Sequence, residues 1–145
     1  MGLILKVSGV FVLGAFALMA DEAADKASFE KVCGHCHAST LIHELKTQGE
    51  WSETVDNMVA NGAKGTDEEL DAVLRYLARN FAKVNINAAE AEEIAPVLDV
   101  SLAVAQGIVE YRMGHGSFAG IDDLKKVPGL DAAKVEARKE RIAFR

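Results

Sequence analysis

The chain has 145 residues, within the roughly 100–200 of one ordinary domain, which excludes a large multidomain enzyme. Half of the residues are apolar, 26% are charged and only two are proline, the composition of a folded, helix-rich chain rather than a disordered one. A net charge of −6 counts against a dedicated nucleic-acid binder, because such domains neutralise phosphates with Lys and Arg and reach a pI above about 9.

Residues 1–20, MGLILKVSGVFVLGAFALMA, place one Lys ahead of an apolar run from Val7 to Met19 and then switch to Asp21-Glu22. This is the layout of a secretory signal peptide, with cleavage expected after Ala20 and Ala15-x-Ala17 as a second cleavage pattern. Export would place the mature chain in the periplasm or outside the cell. An uncleaved anchor is the alternative, and only then would a membrane be a partner. The remainder divides into residues 21–83, net −5, and residues 84–145, net −2.

The only two cysteines stand in Cys33-Gly34-His35-Cys36-His37. They are too close together to staple distant parts of the chain, and C-x-x-C-H is the c-type haem attachment pattern. Two thiols three residues apart reach the two vinyl groups of one porphyrin, and the imidazole of His37 follows as the proximal iron ligand. The expected cofactor is therefore one covalent haem c, held by Cys33 and Cys36. A redox dithiol would sit in a βαβ context, and half a zinc site would need a second Cys/His pair at zinc spacing. Phe29, four residues before Cys33, shares its helical face.

Downstream, Trp51, Val55, Met58 and Val59 lie along one helical face, followed by a break at Asn61-Gly62-Ala63-Lys64-Gly65. Thr66 with Glu69 forms a capping-box pattern, opening a helix with Leu70, Val73, Leu74, Leu77 and Phe81 on its apolar face. A helix into C-x-x-C-H, a Met-bearing middle and a last helix with Tyr76-Leu77-Ala78 resemble a small class I cytochrome c. That resemblance implies first and last helices crossing over one haem edge, with Met58 as the distal iron ligand. His43 and Met113 are its rivals for that place, and Met58 as plain core packing is the structural alternative. His35 is expected at the haem edge.

In the second half, Asn87 is read as an N-cap with Glu90 at the capping-box position, ahead of a break at Pro96. Ser101 then caps a helix over Leu102–Tyr111, which stops at Met113-Gly114-His115-Gly116. A short turn over Ile121–Leu124 leads to Val127-Pro128-Gly129-Leu130 and a last helix from Asp131 to Ile142. This order resembles the paired helix-hairpin-helix domain of ComEA-type competence DNA receptors. The family carries Gly-hydrophobic-Gly in each hairpin, so that backbone N–H groups approach a phosphate. Here the hairpins read Asp99-Val100-Ser101 and Gly129-Leu130-Asp131, with one of the four glycines left. The residues that would carry a DNA contact are Lys125, Lys126, Gly129 and Lys134. The same fold also serves as a protein-docking module, and fold alone does not decide between the two.

The expectation is an all-α chain: an exported monohaem cytochrome passing single electrons to redox protein partners, with no catalytic turnover of its own. Its helix-hairpin-helix domain would serve to dock it to a partner. The alternative is a DNA-binding cytochrome, with double-stranded DNA as the partner of the second domain.

Overall fold

A computed structural model describes residues 14–38 and 42–145, with side chains from Asp21 onward. Residues 1–13, most of the expected export segment, lie outside the described residues. Among the described residues no helix is long and apolar enough to cross a membrane.

The first half is three helices: α1 (Gly14–Cys33), α2 (Gln48–Ala60) and α3 (Asp67–Phe81). Both α2 and α3 open on complete capping boxes, Thr47 with Glu50 and Thr66 with Glu69. Each box satisfies two backbone N–H groups that a helix start leaves without partners. Helices α1 and α3 run antiparallel, because Lys31 near the end of α1 pairs with Glu69 near the start of α3, while Asp25 pairs with Arg75 and Arg79 further along. Phe29 stacks on Tyr76 with ring centroids 4.6 Å apart, filling the seam between them.

The second half adds β1 (Val84–Asn85), α4 (Ala91–Leu98), α5 (Leu102–His115), α6 (Ile121–Leu124), α7 (Ala132–Ala137), a 3-10 turn Lys139–Arg141 and β2 (Ile142–Ala143). The chain is mostly helical, and its small sheet is a two-residue parallel pairing of Val84 with Ile142 and Asn85 with Ala143. Ile86, Ile94, Leu98, Ile108, Leu124 and Val135 are fully buried. They belong to the same hydrophobic core as Phe29, Trp51 and Leu77 of the first half.

Three sequence expectations change here. The N-cap of α4 is Glu90, not Asn87, and the carboxylate of Glu93 accepts from the Glu90 N–H at 3.1 Å. Asn87 instead clamps the domain: its amide donates to the carbonyls of Phe118 and Phe144, both at 3.0 Å, and its oxygen accepts from the Phe118 N–H at 2.8 Å. Pro96 does not break the chain, which stays helical to Leu98 and turns at Asp99 in the left-handed region, φ 55°. The last helix stops at Ala137, because Arg138 and Arg141 are drawn to carbonyls of α3 and α4 and Ile142 pairs with Val84.

Candidate functional site: an apolar cavity at the cysteine motif

Helices α1, α2 and α3 enclose a cavity of about 450 Å³, within the roughly 300–1,000 Å³ typical of small-molecule and cofactor sites. Cys33, Cys36 and His37 line it from the end of α1 and the turn that follows, and Met58 lines it from α2. Phe29, Val55, Val73 and Leu77 give it apolar walls. The spacing in α2 explains this face: Trp51, Val55 and Met58 recur at four and three residues, so all three turn toward α1 and α3.

The motif leaves α1 on a sharp turn. A Cβ on Gly34 would lie 2.3 Å from the carbonyl oxygen of Glu30, which accepts from the Gly34 N–H at 3.0 Å, so only glycine fits there. Cys33 is half-buried, and burial pushes its thiol up, so it is un-ionised at neutral pH. Cys36 is exposed, and no disulfide joins the two. Among the described residues no cluster of three or more His, Cys, Asp or Glu side chains forms that could hold a metal ion. The donor types fit a haem c: two thiols, an imidazole and a thioether all line one cavity with apolar walls.

His43 also lines the cavity, whereas Met113 does not, lying 80% exposed on α5 of the second half. Met58 is 43% exposed, at the cavity rim. Sequence reading missed Lys46, which lines the cavity with its ammonium over the Trp51 ring, 5.1 Å from the centroid.

The second candidate set lies around the hairpins, and each lysine has a carboxylate partner. Lys125 pairs with Glu136 at 2.9 Å and Lys126 with Asp123 at 2.7 Å. Lys134 reaches the first hairpin, donating to the carbonyl oxygen of Asp99 and pairing with its carboxylate at 3.1 Å. Asp131 caps α7 itself, accepting from the Ala133 N–H at 2.8 Å. Gly129 has φ 80°, and a Cβ there would meet no atom within 4 Å, so its backbone faces open space.

The helix-hairpin-helix motif family matches residues 79–143. The chain is 40% identical over 63 residues to an uncharacterized protein of Haemophilus influenzae, covering 43% of this chain and 56% of that protein. It is 36% identical over 64 residues to ComE operon protein 1 of Bacillus subtilis, covering 44% of this chain and 31% of that one. It is 44% identical over 63 residues to endonuclease/exonuclease/phosphatase family domain-containing protein 1 of Danio rerio, covering 43% of this chain but only 12% of that much longer protein. No solved structure matches the chain. Residues 79–143 are a helix-hairpin-helix domain, built directly onto the end of α3.

Proposed function

We propose that the chain is an exported c-type haem protein that carries single electrons and that its helix-hairpin-helix domain sets it on duplex DNA. The observation that carries the first part is the convergence of Cys33, Cys36, His37 and Met58 on one apolar cavity. Bound there, haem c would supply a one-electron ferric/ferrous couple. Cys33 and Cys36 would hold it covalently through their sulfurs, each S–H adding across a vinyl C=C, which would need no oxidant. His37 and Met58 would be the chain's donors to its iron, and the apolar walls would keep water from the site.

The DNA part rests on the helix-hairpin-helix match and on the open backbone at Gly129, flanked in sequence by Lys125, Lys126 and Lys134. Their ion pairs are exposed, and such pairs contribute only about 0–1 kcal/mol each, so a phosphate can exchange for a carboxylate. Binding is therefore weak and steeply salt-dependent. Exported full-length protein should show one covalent haem by mass and pyridine haemochrome spectrum, absent from a Cys33→Ala/Cys36→Ala variant. It should retain duplex DNA at low salt and release it at moderate salt.

A second reading, docking to a protein, is favoured by the aspartates in the hairpins and by the carboxylate partner on every candidate lysine. No retention of DNA even at the lowest salt would select it.

A further inference from the structure

The cavity has two ends. Val32, next to Cys33 in sequence, lies near the start of α3, where Gly65 is close to both Val32 and Leu70. Lys46 lies at the other end of α3: its N–H donates to the carbonyl of Phe81 at 3.3 Å and its carbonyl accepts from the Lys83 N–H at 2.8 Å. From Leu70 to Phe81 the helix rises roughly 16 Å at about 1.5 Å per residue. Lys46 therefore faces the cavity from the end opposite the cysteines.

Among the described residues that line the cavity, Lys46 is the only Lys or Arg. Its backbone is fixed on both sides, and its ammonium lies over the Trp51 ring and donates to Thr54 Oγ1 at 2.9 Å. The Thr54 hydroxyl in turn donates to the Glu50 carbonyl at 2.7 Å. Other titratable groups nearby are Glu44 and His43 on its own segment, His37 across the cavity, Glu50 on α2 and Lys83 after α3. The Glu50 carboxylate is committed to its capping box, accepting from the Thr47 N–H at 2.7 Å. Among the described residues no carboxylate lies within ion-pair distance of Lys46, which leaves two ammonium protons for an anion.

A porphyrin carries its vinyl and propionate groups on opposite edges. Were the vinyl edge held at Cys33 and Cys36, the carboxylate edge would face the end where Lys46 stands. We propose that Lys46, assisted by Thr54, is the positioning residue that holds a haem propionate and keeps it anionic. This rests on the haem reading above. A fixed cation beside the cofactor disfavours the ferric charge, so Lys46 raises the reduction potential.

The test compares exported full-length wild type with Lys46→Met and Lys46→Arg by mass spectrometry and by redox titration across pH 5–9. Lys46→Met keeps a long unbranched side chain and the backbone bonds while removing the charge. It should load haem, lower the midpoint by up to about tenfold in the reduction equilibrium, or about 59 mV for one electron, and acquire a new fall of potential with rising pH. Lys46→Arg should restore both values. A loaded Lys46→Met protein with wild-type potential and pH profile would overturn the anchor alone. Absence of a haem adduct in the wild type would overturn the anchor and the haem reading together.

Discussion

Arg141 Nη2 donates to the carbonyl oxygen of Ala78 at 2.8 Å, so a side chain near the end of the helix-hairpin-helix domain closes a helix that lines the cavity of the first half. The same guanidinium donates to the carbonyls of Arg79 and, at 2.6 Å, Ala82. Carbonyls in the last turn of a helix lack partners within it, and a cation there also meets the negative end of the helix dipole. Burial and the neighbouring Arg138 pull Arg141 down to about 10, still well above neutral pH, so it remains charged in this role. Arg141→Met should cost about 2 kcal/mol, the range of charge-assisted hydrogen bonds lost from half-buried acceptors. Urea unfolding followed by Trp51 fluorescence and by circular dichroism should shift together. Two separated transitions in the wild type would show that the halves fold independently.

Asp25 is 2% exposed and sits between Arg75, at 2.8 Å, and Arg79, at 3.1 Å. It ties α1, and with it the cysteine motif, to α3. Both arginines keep contact with water, so they resolvate when the carboxylate is removed. Asp25→Ala should cost about 2 kcal/mol, less than the 3–5 kcal/mol of a fully buried pair. It should also lower the yield of haem-loaded protein. Unchanged urea midpoint and unchanged loading would contradict this.

Glu136 accepts from Lys139 and Lys125, and these bonds hold its carboxyl down to about 2 from an ordinary 4.5. A depressed carboxyl contributes stability above its unfolded value and loses it as pH falls through the folded one. The window is therefore about pH 4.5 down to about 2. Glu136→Gln should lower Tm relative to wild type above pH 4.5, and the two curves should converge near pH 2. The side chain is fully exposed, so added salt should shrink the gap.

Met58→Ala should abolish the weak near-infrared sulfur-to-iron band of the ferric protein while covalent haem remains. Persistence of the band would exclude Met58 as the ligand. Replacement of the band by a bis-histidine spectrum would bring in His43, which lines the same cavity.

Asp99 holds φ 55°, a conformation glycine adopts freely, and its carboxylate pairs with Lys134. Asp99→Gly removes a negative charge and the lysine's carboxylate partner, leaving its bond to the backbone carbonyl. Stability should change by less than about 1 kcal/mol, since relieved backbone strain offsets a weak exposed ion pair. Duplex affinity at low salt should rise several-fold, and the log–log salt slope should steepen by about 0.9 for one added phosphate contact. An unchanged slope would show that this hairpin does not meet DNA.

Local signals in the sequence were the legible ones. Thr66 with Glu69, Ser101 and Asp131 cap the helices that their positions announce, because caps act within three residues. The grouping of Cys33, Cys36, His37 and Met58 around one cavity follows from helical spacing in α2 and a helix that ends on the motif. Partners far along the chain left no such mark. Asn87 reads as a cap by type and position, yet its amide serves carbonyls 31 and 57 residues away. Arg138 and Arg141 carry no local motif, yet both point inward to backbone carbonyls. Lys46 carries no motif, and the cavity around it exists only once three helices have packed.

The helix-hairpin-helix match begins at residue 79, inside α3, rather than at the loop that follows it. The joint between the two halves is thus a graft and not a pair of beads on a string: one helix ends the three-helix bundle around the cavity and founds the next domain. Cutting the chain at residue 84 would strip Arg138 and Arg141 of their acceptors on Ala78, Arg79 and Ala82. Fragments meant to isolate the helix-hairpin-helix half should start no later than the beginning of α3. A partner that pulls on the second domain pulls on a wall of the cavity.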